Sequence, residues 1–392
     1  MNLNFEQHRF RVLDSWRGLA ACFVALFHFR NFIYSHLFQL NFINNAHLFV
    51  DFFFVLSGFV IFANYEERLK QGYGFWKFML LRFGRLYPLH FVLLMIVTIY
   101  CLVDLYMPVI TLMPDSAFRG AGELPYFWSN LFLAHGLGID DRLSFNRPSW
   151  TVSAEFYTYA LFGILILLFK NRIGPVLVLV AAATGYYLYA RGIYLYGIYD
   201  YGFLRCIYSF AIGALLWRFY TRVESVAAPF AHRAHLFSAL EILLVLAMIL
   251  AVTVSSDMIE WTMALPFLFA AAIFVFSFEA GILSRILSRK PFLLVGAVSY
   301  SIYMLQIFVV SGFTVLLKFL PGPETSLDGR MVWGDNLWIG DLVVIIYLFV
   351  VVAAAIITYY LVEMPGRNFF RKLAGRAPDG PENKNPAPAT RT

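Results

Sequence analysis

Apolar segments of about 20 residues recur along almost the whole 392-residue chain, and this recurrence constrains the fold more than any motif does. A helix rises 1.5 Å per residue, so about 20 apolar residues cover the roughly 30 Å hydrocarbon core of a bilayer. A helix also satisfies its own backbone polar groups, which nothing else can do in lipid except a closed barrel. Ten segments approach the required length: 14–34, 47–64, 86–106, 150–169, 173–191, 201–219, 236–255, 260–279, 292–317 and 337–361. Only 14% of residues are charged, against about 25% in ordinary globular proteins, and the 42 phenylalanines are spread from end to end. A water-soluble enzyme is excluded. The chain reads as an all-α polytopic membrane protein.

An eleventh stretch, PYFWSNLFLAHGLG at 125–138, is short and carries Asn130 and His135. Charge decides against it as a span, because Lys and Arg concentrate on the cytoplasmic side. With 125–138 outside, 21 of the 30 Lys and Arg fall in cytoplasmic segments, six in external ones, and three (Arg17, Arg30 and Arg205) within spans. With it crossing, the arginine clusters at 218–235 and 280–291 would face outward. The expectation is about ten transmembrane helices in one unit over 1–374, with both termini cytoplasmic. The segment 107–149, with Pro108, Pro114, Pro125 and Pro148, is then the largest external feature and a natural place to meet an external substrate. The Pro- and Asn-rich tail, 375–392, is expected to be disordered. No removable signal peptide is visible, so the first helix is expected to serve as its own insertion signal. The net charge of +6 sits in short clusters between spans, where topology uses it, and does not call for nucleic acid. Cys22, Cys101 and Cys206 lie in apolar segments without metal-ligand spacing; buried thiols and no metal are expected. No internal repeat is visible, which weighs against inverted-repeat transporters.

Ionisable residues inside spans are informative, since each costs roughly 2.5–3.5 kcal/mol at a helix centre. Arg17 and His28 are eleven residues apart, which is about 20° past three full turns, so both project from one face about 16.5 Å apart in rise. Arg17 should lie near the cytoplasmic boundary and His28 near mid-membrane. Alone, an arginine there can snorkel to lipid phosphate and a histidine can bond a neighbouring helix; alignment on one face favours function. Arg82 and Arg85, in FMLLRFGRLYPLH, are neighbours on one face at the cytoplasmic mouth of the third span, where they can grip a phosphate or simply anchor the helix. Trp150 and Glu155, in RPSWTVSAEFY, open the fourth span from outside. An unpaired buried carboxylate is costly, and His28 is the expected partner of Glu155. Ser299, Tyr303 and Gln306 form a polar stripe in the ninth span, for which interhelical packing is the commoner use. Tyr126, Phe127, Trp128 and Trp333 can stack on sugars, but an interfacial aromatic belt accounts for them more simply.

Taken in order, VLDSWRGLAACFVALFHF, FVDFFFVLSGFVIF, LLRFGRLYPLH, PSWTVSAEFY, VSYSIYMLQ and EMPGR resemble the acyltransferase 3 family of integral membrane acyltransferases, over residues 9 to 371 or so. Two departures stand out: Ser15 and Trp16 replace the Gly-Leu usual before Arg17, and Gln306 stands where many relatives have histidine. Gln306 is therefore given no proton-handling role. The fused extracytoplasmic hydrolase-like domain found in some relatives is not expected here. The resemblance implies transfer of an acyl group, most often acetyl, from cytoplasmic acetyl-CoA to a hydroxyl of an extracytoplasmic carbohydrate, in a bacterial inner membrane. With that activity, Arg82 and Arg85, joined by Arg17, are expected to hold coenzyme A phosphates. His28 is expected to take the acceptor's proton, or in the competing mechanism to carry the acyl group itself, with Glu155 fixing its tautomer. Trp150, Asp51 and Tyr303 are candidates for the acceptor side, although Trp150 also suits an interfacial anchor and Asp51 a helix cap. The rival from another class is an exporter of polysaccharide or lipid-linked sugar, which also lines a membrane path with polar groups.

Overall fold

The structure is a computed structural model that describes residues 10–106, 120–227, 233–319, 322–327 and 330–375. The first part of the predicted external segment, 107–119, and the tail from 376 lie outside the described residues. Long helices dominate: α1 (Arg11–Phe29), α2 (Phe49–Lys70), α3 (Phe75–Tyr106), α4 (Trp150–Phe169), α5 (Ile173–Ala190), α6 (Gly202–Ala227), α7 (Ala234–Thr253), α8 (Leu265–Phe276), α9 (Ser299–Phe319) and α10 (Leu337–Thr358), followed by a short α11 (Met364–Leu373). A two-stranded antiparallel hairpin, β1 (Glu324–Leu327) and β2 (Arg330–Trp333), pairs Glu324 with Trp333 and Leu327 with Arg330.

Nine stretches of the described residues are long and apolar enough to cross a membrane, and one of them, 147–190, contains both α4 and α5. The two are separate crossings. Lys170, at φ 41° and ψ −111°, breaks the helix between them. α4 runs along α6 in the same direction, with Thr158 bonded to Cys206 and the Phe162 ring 4.6 Å from that of Phe210. α5 runs against it, with Gly174 facing Arg218 and Gly185 facing Tyr208. Elsewhere too, helix ends meet as ten alternating crossings require. At one end, Asn45 before α2 donates to the Val252 carbonyl closing α7 at 3.0 Å. At the other, Glu279 after α8 accepts the Val12 N–H opening α1 at 3.0 Å. The 125–138 stretch does not cross: its helix is only Phe127–Leu131, laid against α3, where His90 Nε2–H donates to the Asn130 carbonyl at 2.9 Å and Tyr87 OH to the Leu131 carbonyl at 3.0 Å.

Several predicted boundaries move, three of them near the candidate site. α1 ends at Phe29 instead of 34, which puts His28 in its last turn, beside Phe29, whose ring stacks on Tyr347 halfway along α10 at 4.1 Å. α3 begins at Phe75 and runs 32 residues, about 48 Å, so Arg82 and Arg85 lie within a helix that outlasts the roughly 30 Å core. The ninth segment splits at Val298 into the short helix Lys290–Ala297 and α9.

The phenylalanine-rich α2 is the centre of the bundle, with Phe49, Phe52, Phe54, Phe59 and Phe62 all buried. Helices in lipid gain little from apolar surface alone, so close backbone approach decides which pairs form. A Cβ on Gly58 of α2 would lie 2.1 Å from the Phe210 carbonyl oxygen of α6, and one on Gly213 would lie 1.9 Å from that of Val55. A second such contact joins α1 to the helix before α9: a Cβ on Gly18 would lie 2.6 Å from Gly296 N, and one on Gly296 would lie 2.4 Å from the Asp14 carbonyl oxygen. The outer shell instead shows apolar side chains to lipid, as Leu243, Leu246 and Leu250 do on α7.

Gly213→Val should therefore destabilise the protein by about 3 kcal/mol, as overpacking of a tight contact does. Gly312→Ala, where a Cβ meets nothing within 4 Å, should leave stability intact or raise it slightly. Thermal unfolding in detergent separates the two, and equal melting temperatures would show that the α2–α6 contact is loose.

Candidate active site

The α1–Gly296 contact sets the first part of the site. With the two backbones this close, Arg17 Nε–H donates to Ser299 Oγ at 2.8 Å, its Nη2–H donates to the Gly296 carbonyl at 3.3 Å, and the Asp14 carboxylate stands 3.1 Å away. Arg17 is thus bound inside the protein and does not snorkel to lipid. Three turns further, His28 Nδ1 lies 2.9 Å from the Val24 carbonyl oxygen. A carbonyl can only accept, so Nδ1 carries the proton, and in the neutral imidazole Nε2 is the unprotonated nitrogen. The Gln306 side chain stands within hydrogen-bonding reach of this imidazole, and the nearest charges acting on the ring are Arg30 and Arg147.

Glu155 is not the partner of His28. Ser57 Oγ and Tyr159 OH both donate to its Oε1, Ser57 from the facing helix α2 and Tyr159 from one turn along α4. Its Oε2 accepts from no described donor. The cause is geometric: Ser57 faces Glu155 across the α2–α4 contact, and Glu155 acts electrostatically on Arg17 and Arg85, toward the start of α1 and away from His28 at its end. The two sequence-derived centres are therefore separate, one an imidazole at the outer end of α1 and the other a charged cluster below it.

That cluster gathers Arg17, Arg82, Arg85 and Arg367 around Asp14, Glu155 and Glu363. Four guanidiniums against three carboxylates leave a cationic surplus. Arg82 is partly committed: its Nη2–H donates to Tyr65 OH at 3.0 Å and its guanidinium sits 5.0 Å from the Tyr65 ring centroid. Arg85, although next to it on the same face, makes no hydrogen bond or close ion pair with any described residue, so its donors are open to a ligand. Glu363 was not singled out from sequence. It is buried, accepts from Ser301 Oγ at 2.9 Å, and lies in a π-helical turn, Tyr359–Glu363, between α10 and α11. Such turns re-aim side chains and concentrate at functional sites. An acidic residue beside the Pro and Gly of EMPGR was the available signal.

Asp51 and Trp150 belong to a third group, on the outer side. Arg205 donates from Nε to both Asp51 oxygens at 3.1 Å and from Nη2 to Oδ2 at 2.6 Å, while Ser209 Oγ donates to Oδ1 at 2.9 Å. Both charged side chains are buried, and the guanidinium lies 5.6 Å from the Trp150 ring centroid. This arrangement occupies the Asp51 carboxylate and locks the starts of α2, α4 and α6 together. Arg205 was visible in the sequence as an arginine near the outer start of its span, with Asp51 at the matching end of another. Tyr303 is likewise engaged: its hydroxyl donates to the Pro148 carbonyl and accepts from Thr151 Oγ1, each at 3.1 Å. The three cysteines are free thiols. Among the described residues no group of three or more His, Cys, Asp or Glu is placed to hold a metal ion.

A family model described as "Acyltransferase domain", that of acyltransferase 3, matches residues 10–360. Over 166 residues the chain is 32% identical to "Protein 2 in picA locus" from Rhizobium radiobacter, an alignment covering 40% of this chain and 81% of that protein. No solved structure matches.

Removing one partner of a buried ion pair leaves an uncompensated charge. Arg205→Ala alone should therefore cost about 3–5 kcal/mol, while the double change Asp51→Leu with Arg205→Met should recover most of it. Thermal unfolding of the purified variants measures this. A double variant as unstable as the single one would mean that packing, and not charge pairing, holds the three helix starts.

Proposed function

Because the chain belongs to the acyltransferase 3 family, we propose that it moves an acyl group, acetyl in the first instance, from cytoplasmic acyl-CoA to a hydroxyl of an extracytoplasmic carbohydrate. The observation that carries the proposal is the orientation of His28. Its Nδ1–H is held by the Val24 carbonyl, so Nε2 is a base, and it sits at the outer end of the same helix whose Arg17 stands in the charged cluster. The donor side is supported by the open guanidinium of Arg85 and by the cationic surplus around it, which suit the phosphates of coenzyme A. The orientation rests on the distribution of Lys and Arg along the chain, which puts both termini in the cytoplasm.

In this reading Arg85, with Arg82 and Arg17 adding charge, binds the nucleotide end of the donor, and the narrow pantetheine arm carries the thioester toward His28. His28 Nε2 takes the proton of the acceptor hydroxyl while that oxygen attacks the thioester carbonyl. The tetrahedral adduct collapses with cleavage of the C–S bond, and the imidazolium returns the proton to the leaving thiolate. The products are an O-acyl ester and free coenzyme A, with His28 neutral again. The tautomer-fixing role expected of Glu155 passes to the Val24 carbonyl. Glu155 instead, with Oε1 held by Ser57 and Tyr159, acts electrostatically on Arg17 and Arg85 and sets the charge the donor meets. Glu363, in the π-helical turn after α10, adds its charge beside Arg85. The setting is a bacterial inner membrane, with the acceptor on the far side from the donor.

His28→Ala should lower kcat for acetyl transfer by about 10²–10⁴-fold, the usual worth of a general base, with acetyl-CoA affinity unchanged. Transfer within a few-fold of wild type at equal membrane abundance would remove the base from the mechanism. Arg85→Ala should weaken acetyl-CoA binding by about ten- to a hundredfold, the loss of a charge-assisted hydrogen bond, and Arg82→Ala by less because Tyr65 holds part of its guanidinium. Isothermal titration on protein in nanodiscs reads both. Unchanged affinity in Arg85→Ala would remove the phosphate clamp, and wild-type protein that binds no acetyl-CoA would remove the donor altogether.

A further inference from the structure

Just beyond the outer end of α1 the chain builds a second polar site that the transfer chemistry does not use. Residues 32–34 run alongside β2: the Tyr34 N–H donates to the Trp333 carbonyl and the Trp333 N–H to the Phe32 carbonyl, each at 3.0 Å. From the other side, Gly340 lets the first turn of α10 rest on the Tyr34 backbone, where a Cβ would lie 1.8 Å from the carbonyl oxygen. That approach brings Asp341 to Ser35 and His36. Ser35 Oγ donates to Asp341 Oδ1 at 2.6 Å, the His36 N–H donates to the same oxygen at 3.0 Å, and His36 Nδ1–H donates to Oδ2 at 2.8 Å. With Nδ1 so engaged, His36 leaves Nε2 for one further hydrogen bond.

Tyr34, His36, Asp335, Asn336, Leu337 and Trp338 line a shallow hollow of about 360 Å³ at this point. That is the lower end of the range of small-molecule sites. Trp338 is 76% exposed, with its ring centroid 4.8 Å from that of His36. Asn336 Oδ1 already accepts the N–H groups of Trp338 and Ile339, so the end of α10 is capped and is not itself the attraction. What remains is a broad indole face flanked by the Asp335 carboxylate, the Asn336 amide and the His36 imidazole. This is the complement of a sugar ring, whose C–H face stacks on an aromatic surface while its hydroxyls, each both donor and acceptor, bond carboxylate, amide and imidazole. An interfacial anchor would account for the tryptophan alone. It would not account for an imidazole ordered beside it by a carboxylate that Ser35 also fixes.

We propose that this hollow is a saccharide subsite, holding one ring of an oligosaccharide acceptor while another ring presents its hydroxyl to His28, eight residues earlier in the chain. The proposal rests on the reading of the protein as an acyltransferase of an external carbohydrate. It adds that the acceptor is a chain of sugars and not a single ring.

The test uses the full-length protein in nanodiscs and size-fractionated oligosaccharides, from mono- to octasaccharide, released by mild acid from the producing cell's own surface polysaccharides. Binding is followed by saturation-transfer NMR. Wild type should bind the longer fractions at least tenfold more tightly than the monosaccharides. Trp338→Ala should lose that advantage, Trp338→Phe should restore most of it, and Asp341→Asn should weaken it, so that failure of one variant to fold does not decide the matter. No binding, binding independent of length, or equal binding by wild type, Trp338→Ala and Asp341→Asn would overturn the subsite. A lowered melting temperature in Trp338→Ala with saccharide binding intact would do the same and mark the residue as a membrane anchor. Acetyl transfer measured on the same preparations keeps the two readings apart. Length-dependent binding without transfer removes the acyltransferase reading and leaves the subsite, whereas transfer indifferent to Trp338 and Asp341 removes only the subsite.

Discussion

A charge in hydrocarbon has no water to fall back on, so each one must be neutralised by a partner from the protein itself, and this requirement organises the whole bundle. At the outer side, Arg205 and Asp51 join α6 to α2 and seat the guanidinium over Trp150 at the start of α4. At the inner side, Glu66 of α2 takes Arg218 of α6 and Lys70 of its own helix. The same two helices are thus clamped at both ends by ion pairs and pressed together between them by Gly58 and Gly213. Helix starts follow the same rule with carboxylates in place of caps from neighbouring residues. Glu241 of α7 accepts the N–H groups of Gly281, Leu283 and Ser284 at the start of Ile282–Leu287, and Glu279 serves α1.

Against that background the candidate site is the place where pairing is left incomplete. Among the described residues Arg85 has no hydrogen-bond or close ion-pair partner and one Glu155 oxygen accepts from no donor, while the backbone holds only the Nδ1 of His28. Each departure costs stability in a low-dielectric interior, and each is held in place by fully satisfied neighbours: Ser57 and Tyr159 for Glu155, Val24 for His28, Ser299 and Asp14 for Arg17. Rigid surroundings keep the open groups from collapsing onto one another. The charged cluster and the imidazole are also kept apart, as the proposed transfer between substrates from opposite sides requires.

Much of this was legible without coordinates. The count of crossings, the exclusion of 125–138 and the alignment of Arg17 with His28 all follow from hydropathy, charge placement and the helical repeat, each a property of a short window of chain. Two further features left a trace that was not followed to its end. Arg205 and Asp51 occupy equivalent depths at the outer ends of their spans, and a lone arginine there requires an acid at the same depth. Glu363 stands in a motif that breaks the regularity of the last span. The pairing of Glu155 with His28 failed for a different reason: equal apparent depth on two helices says nothing about which faces meet.

What the sequence determined alone is the solvent this protein folds in, the number and alternation of its helices, and which polar residues lie within them, because each of these depends on the free energy of moving a single segment into lipid. The tertiary structure decided which of those residues touch. Ser57 rather than His28 stands at Glu155, Asp341 reaches across 305 positions to His36, and Arg205 reaches across 154 to Asp51. The reason is that partners on separate helices are chosen by where two backbones can approach, at Gly18 and Gly296, Gly58 and Gly213, and Gly340. A glycine in a sequence shows only that an approach is permitted, and not which helix makes it.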